Sequence, residues 1–328
     1  MKVVHGLDRL PHALPRPVLT IGNFDGVHLG HQSLMRTLVT RAAAVGGSSL
    51  VLTFDPHPLQ VLAPDNAPRQ IQTLSQKLAA LEALGIDVVV VQPFTRELAH
   101  VGAREFVTDI LVERLRTQEI HVGASFAFGH RREGSFNLLK EMGEEFGFLV
   151  EKIHQVQFRG TRVSSTLVRQ ALISGQAGLA RRLLGRPFAL EGEIVHGAAV
   201  GASLKVPTAN LLTRNELIPR TGVYVTFLNL DGRRRESVTN IGTRPTLTGQ
   251  LDGPLTVETH VLDFEKELYG AKVCVEFLMR VREERRFEST EVLVSRIKKD
   301  VTTARRFFEW VRRVAPGCLA DAAPGQSL

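Results

Sequence analysis

The hydrophobic pattern of this chain changes its period partway along. From residue 17 to about residue 184, short apolar runs alternate with segments whose apolar positions recur at helical spacing. Runs such as VLTI, LVLTF and VVVV are apolar at every position, as strands buried on both faces of a parallel sheet must be. The predicted strands, each with the helix that follows it, are PVLTIG with residues 29–45, SSLVLTF with 74–84, DVVVV with 103–116, and EIHVG with 137–146. This alternation predicts an α/β domain in which helices cover both faces of a Rossmann-like parallel sheet.

After the segment LLGRPFALEG, which ends at Gly192, the helical spacing stops and strands with a period of two take over. In KVCVEFL, for example, Val273, Val275 and Phe277 fall on one face of a strand. Further candidate strands are GEIVHG, GVYVTFLNL, ESVTNIG and LTVETHVLDF. Together they predict an antiparallel barrel or a sandwich, and the period alone leaves both open.

A helix is predicted to follow the last strand. Ser289 can cap its N-terminus, and apolar positions then recur near a 3.6-residue period up to Arg312. These positions are Val292, Leu293, Ile297, Val301 and Phe307. The stretch after Val314 is rich in Ala, Pro and Gly, and we expect residues 315–328 to form a disordered tail.

Length and the change of period indicate two domains. A chain of 328 residues is longer than one hydrophobic core usually serves. Because the helical pattern stops just after residue 184, we place the first domain at residues 1–185 and the second at residues 186–314. The second domain is then an antiparallel β-structure with a C-terminal helix.

Composition excludes several classes of protein. With 43% hydrophobic and 23% charged residues, and with no apolar run of 18 residues, the chain does not fit a membrane-spanning protein. The N-terminal residues lack the apolar region of a secretion signal, so we expect a cytoplasmic location. Cys274 and Cys318 lie far apart and outside any CxxC spacing, which excludes a disulfide framework and a cysteine zinc site.

The formal net charge of +7 is compatible with binding nucleic acid, with binding polyphosphate ligands, or with neither. The densest cluster, Arg233 to Arg235, follows the dipeptide Asp231-Gly232, which favours a hairpin turn. We therefore interpret the cluster as a solvated hairpin tip rather than a binding patch.

The stretch TIGNFDGVHLGHQSLM, residues 20–35, carries the first candidate chemistry. A strand ends at Gly22 and a helix begins near Leu29, so the free N–H groups of that helix would point into the crevice at the edge of the sheet. His28 and His31, three residues apart, would share one helix face as neutral hydrogen-bond donors. The pattern predicts an anion site suited to phosphoryl chemistry. Two purely structural histidines are the alternative, and a metal site is less favoured because no third ligand is evident.

These residues resemble a known family. GNFDGVHLGH is similar to the HxGH signature of nucleotidylyltransferases, in the form found in bacterial bifunctional riboflavin kinase/FAD synthetases. The segments TFDPHP, FAFGHRREG and VSSTLVR resemble later motifs of the same family, in the same order. In the second half, KVPTANL, GVYV, NIGTRPT, VETHVLDF and LYG resemble motifs of riboflavin kinases. The resemblance covers residues 17 to 312, and two unrelated motif sets in one chain make chance a poor explanation.

For the first half, the resemblance implies a nucleotidylyltransferase that transfers AMP from ATP to FMN, giving FAD and pyrophosphate. His28 and His31 would bind the phosphate oxygens as charge develops in the reaction. The implied nucleotide and phosphate contacts are Gly22, Asn23, Phe24, Asp25, Gly26, Ser164, Ser165, Thr166 and Arg169, and the implied flavin contacts are Ser125, Phe126, Phe128 and Arg132. Asn23 and Asp25 could equally be turn formers, and the SSTxxR motif could be an ordinary capped helix with a surface arginine.

For the second half, the resemblance implies an ATP-dependent kinase that converts riboflavin to FMN. Glu258 matches the catalytic base of that family, and Thr208 and Asn210 of the PTAN motif would hold Mg²⁺ with ATP. By alternation alone, Glu258 could be an ordinary solvent-facing strand residue. The expected partners are riboflavin, FMN and ATP, with no membrane partner and with the oligomeric state left open.

Two rival functions remain at this point. One is an RNA-binding protein with a basic barrel, which the 6% aromatic content argues against because single-stranded RNA needs stacking surfaces. We therefore expect no nucleic-acid partner. The other is a chain in which one domain is an enzyme and the other has become structural.

The chain departs from the family pattern just before the PTAN motif. Where relatives carry Arg and Gly, this chain has Ala202 and Lys205, and Ser125 stands where relatives carry Asp or Asn. We predict that Lys205 replaces the missing arginine as the cation for an ATP phosphate. Lys205→Gly should then impair ATP use about tenfold, and adding Ala202→Arg should restore it. An unchanged KM for ATP and kcat in Lys205→Gly would show a solvated loop lysine.

Overall fold

The computed structural model describes residues 1–10, 14–196, 207–243, 255–285 and 287–314. Contacts between residues divide the chain into two compact units. One unit holds a parallel sheet with its helices, and the other holds a closed antiparallel barrel. The fold class predicted from the sequence is therefore confirmed, while the predicted tail at 315–328 lies outside the described residues.

The first unit is Met1–Arg69 with Leu74–Ser164. Its six parallel strands lie in the order β1-β4-β3-β2-β5-β6. They are β1 (Lys2–His5), β2 (Val18–Ile21), β3 (Ser49–Asp55), β4 (Val88–Pro93), β5 (Glu119–Val122) and β6 (Leu149–Lys152), and a small hairpin follows as β7 (Gln157–Phe158) and β8 (Thr161–Arg162). The runs predicted to be buried on both faces are buried in β2, β3 and β4. The edge strands β1 and β6 were not predicted, because each is four residues long with few buried positions.

Helices cover both faces of this sheet. They are α1 (Leu29–Val45), α2 (Pro58–Leu62), α3 (Leu74–Ala83), α4 (Arg96–His100), α5 (Ala103–Glu105) and α6 (Phe136–Phe146). Helix α1 begins and ends where the sequence predicted. The predicted helix at 103–116 is instead α5 followed by a π-helix, Phe106–Arg114. One apolar cluster joins α1 and α3 to the sheet, and another joins the π-helix and α6 to its other face.

Strand order places a crevice at the end of β2. After β2 the chain builds β3 and β4 on one side, and it then crosses to place β5 on the other side of β2. In open parallel sheets, ligands bind at the carboxyl edge where the strand order reverses in this way. The turn after Ile21 therefore lies at the expected binding position.

The second unit, Gln70–Thr73 with Ser165–Leu328, contains the barrel. Its helices are α7 (Ser165–Ile173), α8 (Ala177–Leu184) and α9 (Thr290–Val314), and its strands are β9 (Phe188–Val195), β10 (Ala209–Thr213), β11 (Gly222–Leu230), β12 (Arg233–Thr243), β13 (Leu255–Val261) and β14 (Lys272–Arg282). The strands close in the order β10-β13-β12-β11-β14-β9. Closure decides the barrel over the sandwich, because every strand of it pairs on both sides.

The barrel interior combines apolar side chains with a chain of buried hydroxyls. Val273, Val275 and Phe277 are all buried, as the period-two pattern predicted. Thr239 Oγ1 lies 2.8 Å from Thr226 Oγ1 and 2.9 Å from Thr259 Oγ1, so neighbouring strands β11, β12 and β13 are linked inside the barrel. A buried hydroxyl group is stable only when it forms a hydrogen bond, and the linked threonine hydroxyls provide such bonds to one another.

Helix α9 closes one side of the barrel and begins where the sequence predicted. Ser289 Oγ accepts the N–H of Val292 at 3.4 Å. Ala304 and Phe308 pack in a buried cluster with strands β11, β12 and β14. Val292, which we expected on the packed face, is 50% exposed. The deeply buried positions begin at Asp300, so the first turns of the helix contribute less to the core.

The arginine cluster lies at a two-residue hairpin, as predicted. Asp231 and Gly232, with φ of 53° and 77°, connect β11 to β12. The cluster is, however, not uniformly solvated. Arg234 pairs with Glu276 at 3.0 Å, and both side chains are largely buried. Burial raises the pKa of Glu276, and the Arg234 charge opposes that rise, so this arginine stabilises an otherwise costly carboxylate.

Helix α8 packs on strands β9 and β14 of the barrel. Leu183 and Leu184 are almost fully buried. Arg186, at the predicted domain boundary, donates to the Leu184 carbonyl oxygen at 3.3 Å and to Gln72 Oε1 at 3.1 Å. Its burial lowers the pKa of Arg186 to about 10. The position of the boundary at Gly185/Arg186 stays a prediction, and these contacts define a test for it.

We predict that a fragment of residues 165–314 is more stable than a fragment of residues 186–314. The shorter fragment loses the two buried leucines, each worth about 1.5–3 kcal/mol. The free energy of unfolding, measured by denaturant titration with circular dichroism, should therefore fall by about 3 kcal/mol or more. Equal stability of both fragments would show that α7 and α8 do not contribute to the barrel's fold.

Candidate active site

The turn after β2 has a strained backbone. Phe24 and Val27 have φ of 47° and 38°, a left-handed conformation that is unusual for any residue except glycine and costly for a β-branched one. At Gly22, an added Cβ would lie 2.9 Å from the Phe24 ring, so a larger residue does not fit there. Gln32 Nε2 donates to the Val27 carbonyl oxygen at 2.9 Å and holds the strained peptide in place. Strain of this kind concentrates at functional sites.

His28 is the N-cap of helix α1 rather than a residue within it. Its Nδ1 accepts the peptide N–H of His31 at 3.3 Å. Since Nδ1 is an acceptor, the proton of the neutral ring is on Nε2, on the far side of the imidazole. At Gly30, an added Cβ would lie 3.1 Å from Cε1 and 3.2 Å from Nδ1 of His28. Gly30 therefore leaves the space that lets the His28 ring fold over the first turn.

The two histidines of the motif lie together. The His28 and His31 rings stack with centroids 3.6 Å apart and an angle of 18° between their planes. The Phe24 ring meets His31 edge-on at 5.2 Å. Helix α1 has no acidic residue in its first turn, so the positive end of its dipole faces the site unopposed by that turn. The arrangement suits a bound anion, because ring and peptide donors converge at a helix N-terminus.

The TFDPHP loop contacts the first turn through His57. The Asn23 amide nitrogen lies 3.0 Å from His57 Nε2, and His57 Nδ1 accepts the N–H of Leu59 at 3.2 Å, capping α2. Thr53 Oγ1 donates to the Asn23 carbonyl oxygen at 3.4 Å. Asn23 is thus held by two contacts, one from the end of β3 and one from the loop that follows it, a role that the sequence did not reveal for His57.

A buried lysine lies close to the same turn. Lys77 of α3 is 6% exposed, and Asp25 is 3% exposed. Burial lowers the pKa of Lys77, and the carboxylates of Asp25 and Asp55 oppose the shift. Sequence reasoning missed Lys77, because a lysine at a helical position usually lies on the surface.

The predicted flavin contacts lie on the loop after β5. Phe126 and Phe128 stack with centroids 5.4 Å apart, and Phe128 is buried in the core so that little of its ring is open to a ligand. Ser125 and Arg132 are exposed. Ser125 Oγ accepts from Arg162 Nη2 at 2.9 Å, which brings an arginine that we did not predict to this loop.

The SSTxxR motif spans the division between the two units. Ser164 is the last residue of the first unit, and Ser165, Thr166 and Arg169 lie on α7 in the second unit. Thr166 is exposed, whereas Ser165 and Arg169 are half-buried. Their predicted role in phosphate binding stays a prediction.

The predicted kinase residues come together on the barrel. Asn210 of β10 lies directly opposite Glu258 of β13, and Asn240 of β12 lies opposite Glu258 on its other side. Side chains at opposed positions share one face of the sheet with Cβ atoms about 5 Å apart. Thr208, two residues before Asn210, is half-buried near the same face. Lys205 and Ala202 lie outside the described residues.

The oxygen atoms of this row fit a magnesium ion carried in with a nucleotide. Mg²⁺ prefers hard oxygen ligands, and it keeps waters and phosphate oxygens rather than entering an all-protein cage. The Asn210 amide and the Thr208 hydroxyl supply such oxygens beside Glu258. In the part of the chain that the structure describes, no group of three or more His, Cys, Asp or Glu side chains could form a cage.

Two family models match the chain. The FAD synthetase model matches residues 10–167, and the riboflavin kinase model matches residues 184–308. The bifunctional riboflavin kinase/FMN adenylyltransferase of Pseudomonas fluorescens is 42% identical over 93% of this chain and 97% of the relative. The enzyme of the same name from Escherichia coli K12 is 41% identical over 94% of this chain and 98% of the relative.

A solved structure supports the fold along nearly the whole chain. A crystal structure from Streptococcus pneumoniae, described as a macrolide-efflux protein, has a TM-score of 0.83 and 26% identity, covering 93% of this chain and 99% of that one. Among the described residues, no helix is both long and apolar enough to cross a membrane. Both family models and the two enzymes agree with the two motif sets read from the sequence. The chain therefore belongs to the family of bifunctional riboflavin kinases/FMN adenylyltransferases.

Proposed function

We propose that this chain makes FAD from riboflavin in two ATP-dependent steps, with riboflavin, FMN and ATP as its substrates. The proposal is carried by two features of the same chain. The stacked pair of His28 and His31 lies after β2, where the strand order of the sheet reverses. The row of Asn210, Glu258 and Asn240 lies on the barrel. The family models and relatives support one reaction for each half.

In the adenylyl transfer, a phosphate oxygen of FMN attacks the α-phosphorus of ATP. The bond from that phosphorus to its bridging oxygen breaks, pyrophosphate leaves, and no covalent enzyme intermediate forms. His28 donates from Nε2 to the oxygens on which charge develops, and the first peptide N–H groups of α1 act in the same direction. Because these donors are already fixed by the cap and the ring stacking, they need little reorganisation during the reaction.

The remaining contacts of this step are proposals based on the motifs. The turn residues Gly22, Asn23, Phe24, Asp25 and Gly26 would approach the nucleotide through their backbone. Ser164, Ser165, Thr166 and Arg169 are the proposed phosphate ligands, and Ser125, Phe126 and Arg132 the proposed flavin contacts. Phe128 contributes from the core beneath that loop, where its ring packs on Phe126.

In the kinase step, Glu258 accepts the proton of the primary alcohol of riboflavin. The alcohol oxygen attacks the terminal phosphorus of ATP, the bond to the bridging oxygen breaks, and ADP leaves. Asn210 and Thr208 would hold Mg²⁺, which when bound neutralises phosphate charge. The metal identity and the cytoplasmic location belong to this proposal and stay predictions.

We predict that His28→Ala or His31→Ala lowers FAD formation by about 10² or more, the usual scale for a fixed donor that stabilises charge, and leaves FMN formation intact. The assay incubates the full chain with riboflavin, ATP and Mg²⁺ and resolves FMN and FAD by chromatography. His5→Ala, at an exposed histidine of β1, is the matched control and should leave both products unchanged. Equal loss of FMN and FAD in the His28 variant would contradict a two-site enzyme.

We predict the opposite selectivity for the barrel. Glu258→Gln should lower FMN formation by about 10² or more, the scale of a lost general base, because glutamine cannot accept the alcohol proton. FAD formation from added FMN should not change. Glu193→Gln, at an exposed glutamate of β9, is the control and should leave both activities unchanged. If Glu258→Gln keeps full kinase activity, Glu258 is an ordinary strand residue and another group must accept the proton.

A further inference from the structure

The polar row on the barrel contains one residue without a role in the reactions described above. On successive strands of the barrel, the residues that lie opposite one another are, in order, Val195, Asn210, Glu258, Asn240 and Val223. A valine therefore lies at each end of a segment of three polar side chains, and Val223 is buried under α9. Asn210 lies on the β10 side of Glu258, whereas Asn240 lies on its β12 side. Asn240 is thus the last polar position before the apolar cluster.

The Asn240 side chain is half-buried. Its Nδ2 leans along β12 towards Gly242, where an added Cβ would lie 3.1 Å away. The same Cβ would lie 2.2 Å from Glu284 Oε1, which accepts the N–H of Thr243 at 3.2 Å. The absence of a side chain at Gly242 thus leaves room for the Asn240 amide and the Glu284 carboxylate side by side.

The geometry also separates the two substrates of the kinase step. The proposed metal ligands are Asn210 on β10 and Thr208 just before that strand, so the ATP phosphates approach Glu258 from that side. The alcohol that Glu258 deprotonates must then approach from the opposite side, above β12. The groups that it meets there are the Asn240 amide, a donor and an acceptor, and the Glu284 carboxylate, an acceptor. Such a pair matches a chain of neighbouring hydroxyls better than an apolar ligand.

We propose that Asn240 is a specificity-determining residue that hydrogen-bonds the secondary hydroxyls of the ribityl chain of riboflavin and so aligns its terminal alcohol with Glu258. The proposal rests on the kinase function proposed above. Its rival is an ordinary half-exposed asparagine on a barrel strand, which would affect stability without distinguishing one flavin from another.

The test compares two flavins. One is riboflavin, and the other carries a straight hydroxypentyl chain, which keeps the terminal alcohol and lacks the secondary hydroxyls. For riboflavin, we expect Asn240→Ala to lower kcat/KM about tenfold and to weaken the binding measured by flavin fluorescence by a similar factor, the scale of one lost hydrogen bond. For the hydroxypentyl flavin, both quantities should stay unchanged, and the KM for ATP should not change with either flavin.

Asn240→Ser keeps a hydrogen-bonding group and should recover part of the preference for riboflavin, and it carries the test if Asn240→Ala does not fold. Asn229→Ala, an asparagine at the other end of the barrel on β11, is the matched control and should keep wild-type values. Equal losses for both flavins, an unchanged kcat/KM for riboflavin, or a raised KM for ATP alone would each overturn the proposal.

The outcome is separable from the failure of the proposed function. If the wild-type chain forms no FMN, the kinase assignment is wrong, whereas the fluorescence titrations with both flavins still test Asn240. If the wild type forms FMN and the Asn240 variants keep the wild-type preference for riboflavin over the hydroxypentyl flavin, the kinase assignment stands and the proposed role of Asn240 is wrong.

Discussion

The hydrogen bond from the peptide N–H of His31 to Nδ1 of His28 orders the turn at the start of helix α1 in the first unit. An α-helix begins with N–H groups that lack partners, and a serine or aspartate usually satisfies one of them. Here an imidazole does so, and the bond assigns its proton to Nε2. The cap, the helix dipole and the ring stacking on His31 all follow from this contact. It depends in turn on Gly30, since a Cβ there would press on the His28 ring.

The barrel positions its row of polar side chains by a different constraint. In a closed antiparallel sheet, alternate side chains point inward, and every residue has a fixed neighbour on each side. The bonded hydroxyls of Thr226, Thr239 and Thr259 therefore lie inside, while Asn210, Glu258 and Asn240 share the other face. Thr259 and Glu258 are adjacent in the chain, so the register that buries the threonine also orients the glutamate. If the pairing of β13 shifted by one residue, Thr259 would face outward and Glu258 would face the barrel interior.

The sequence predicted those features that depend on neighbours along the chain. Continuous apolar runs identified β2, β3 and β4, and His28 and His31 stood out by their spacing and by the glycine turn before them. Edge strands β1 and β6 were missed, because four residues with few buried positions carry little periodic signal. Asn240 was part of the NIGTRPT motif, but its position opposite Glu258 could not be predicted, since the alternation of β12 does not say which residue of β13 it faces. Lys77 was missed because its burial results from packing between α3 and the turn after β2.

Strand pairing also fixes the place of Asn210 in the polar row. Asn210 is paired on one side with Val195 of β9 and on the other with Glu258 of β13. The departures from the family pattern, Ala202 and Lys205, lie between β9 and β10. Because β10 is paired on both sides, two ladders hold its register against Glu258 whatever residues stand at these two positions.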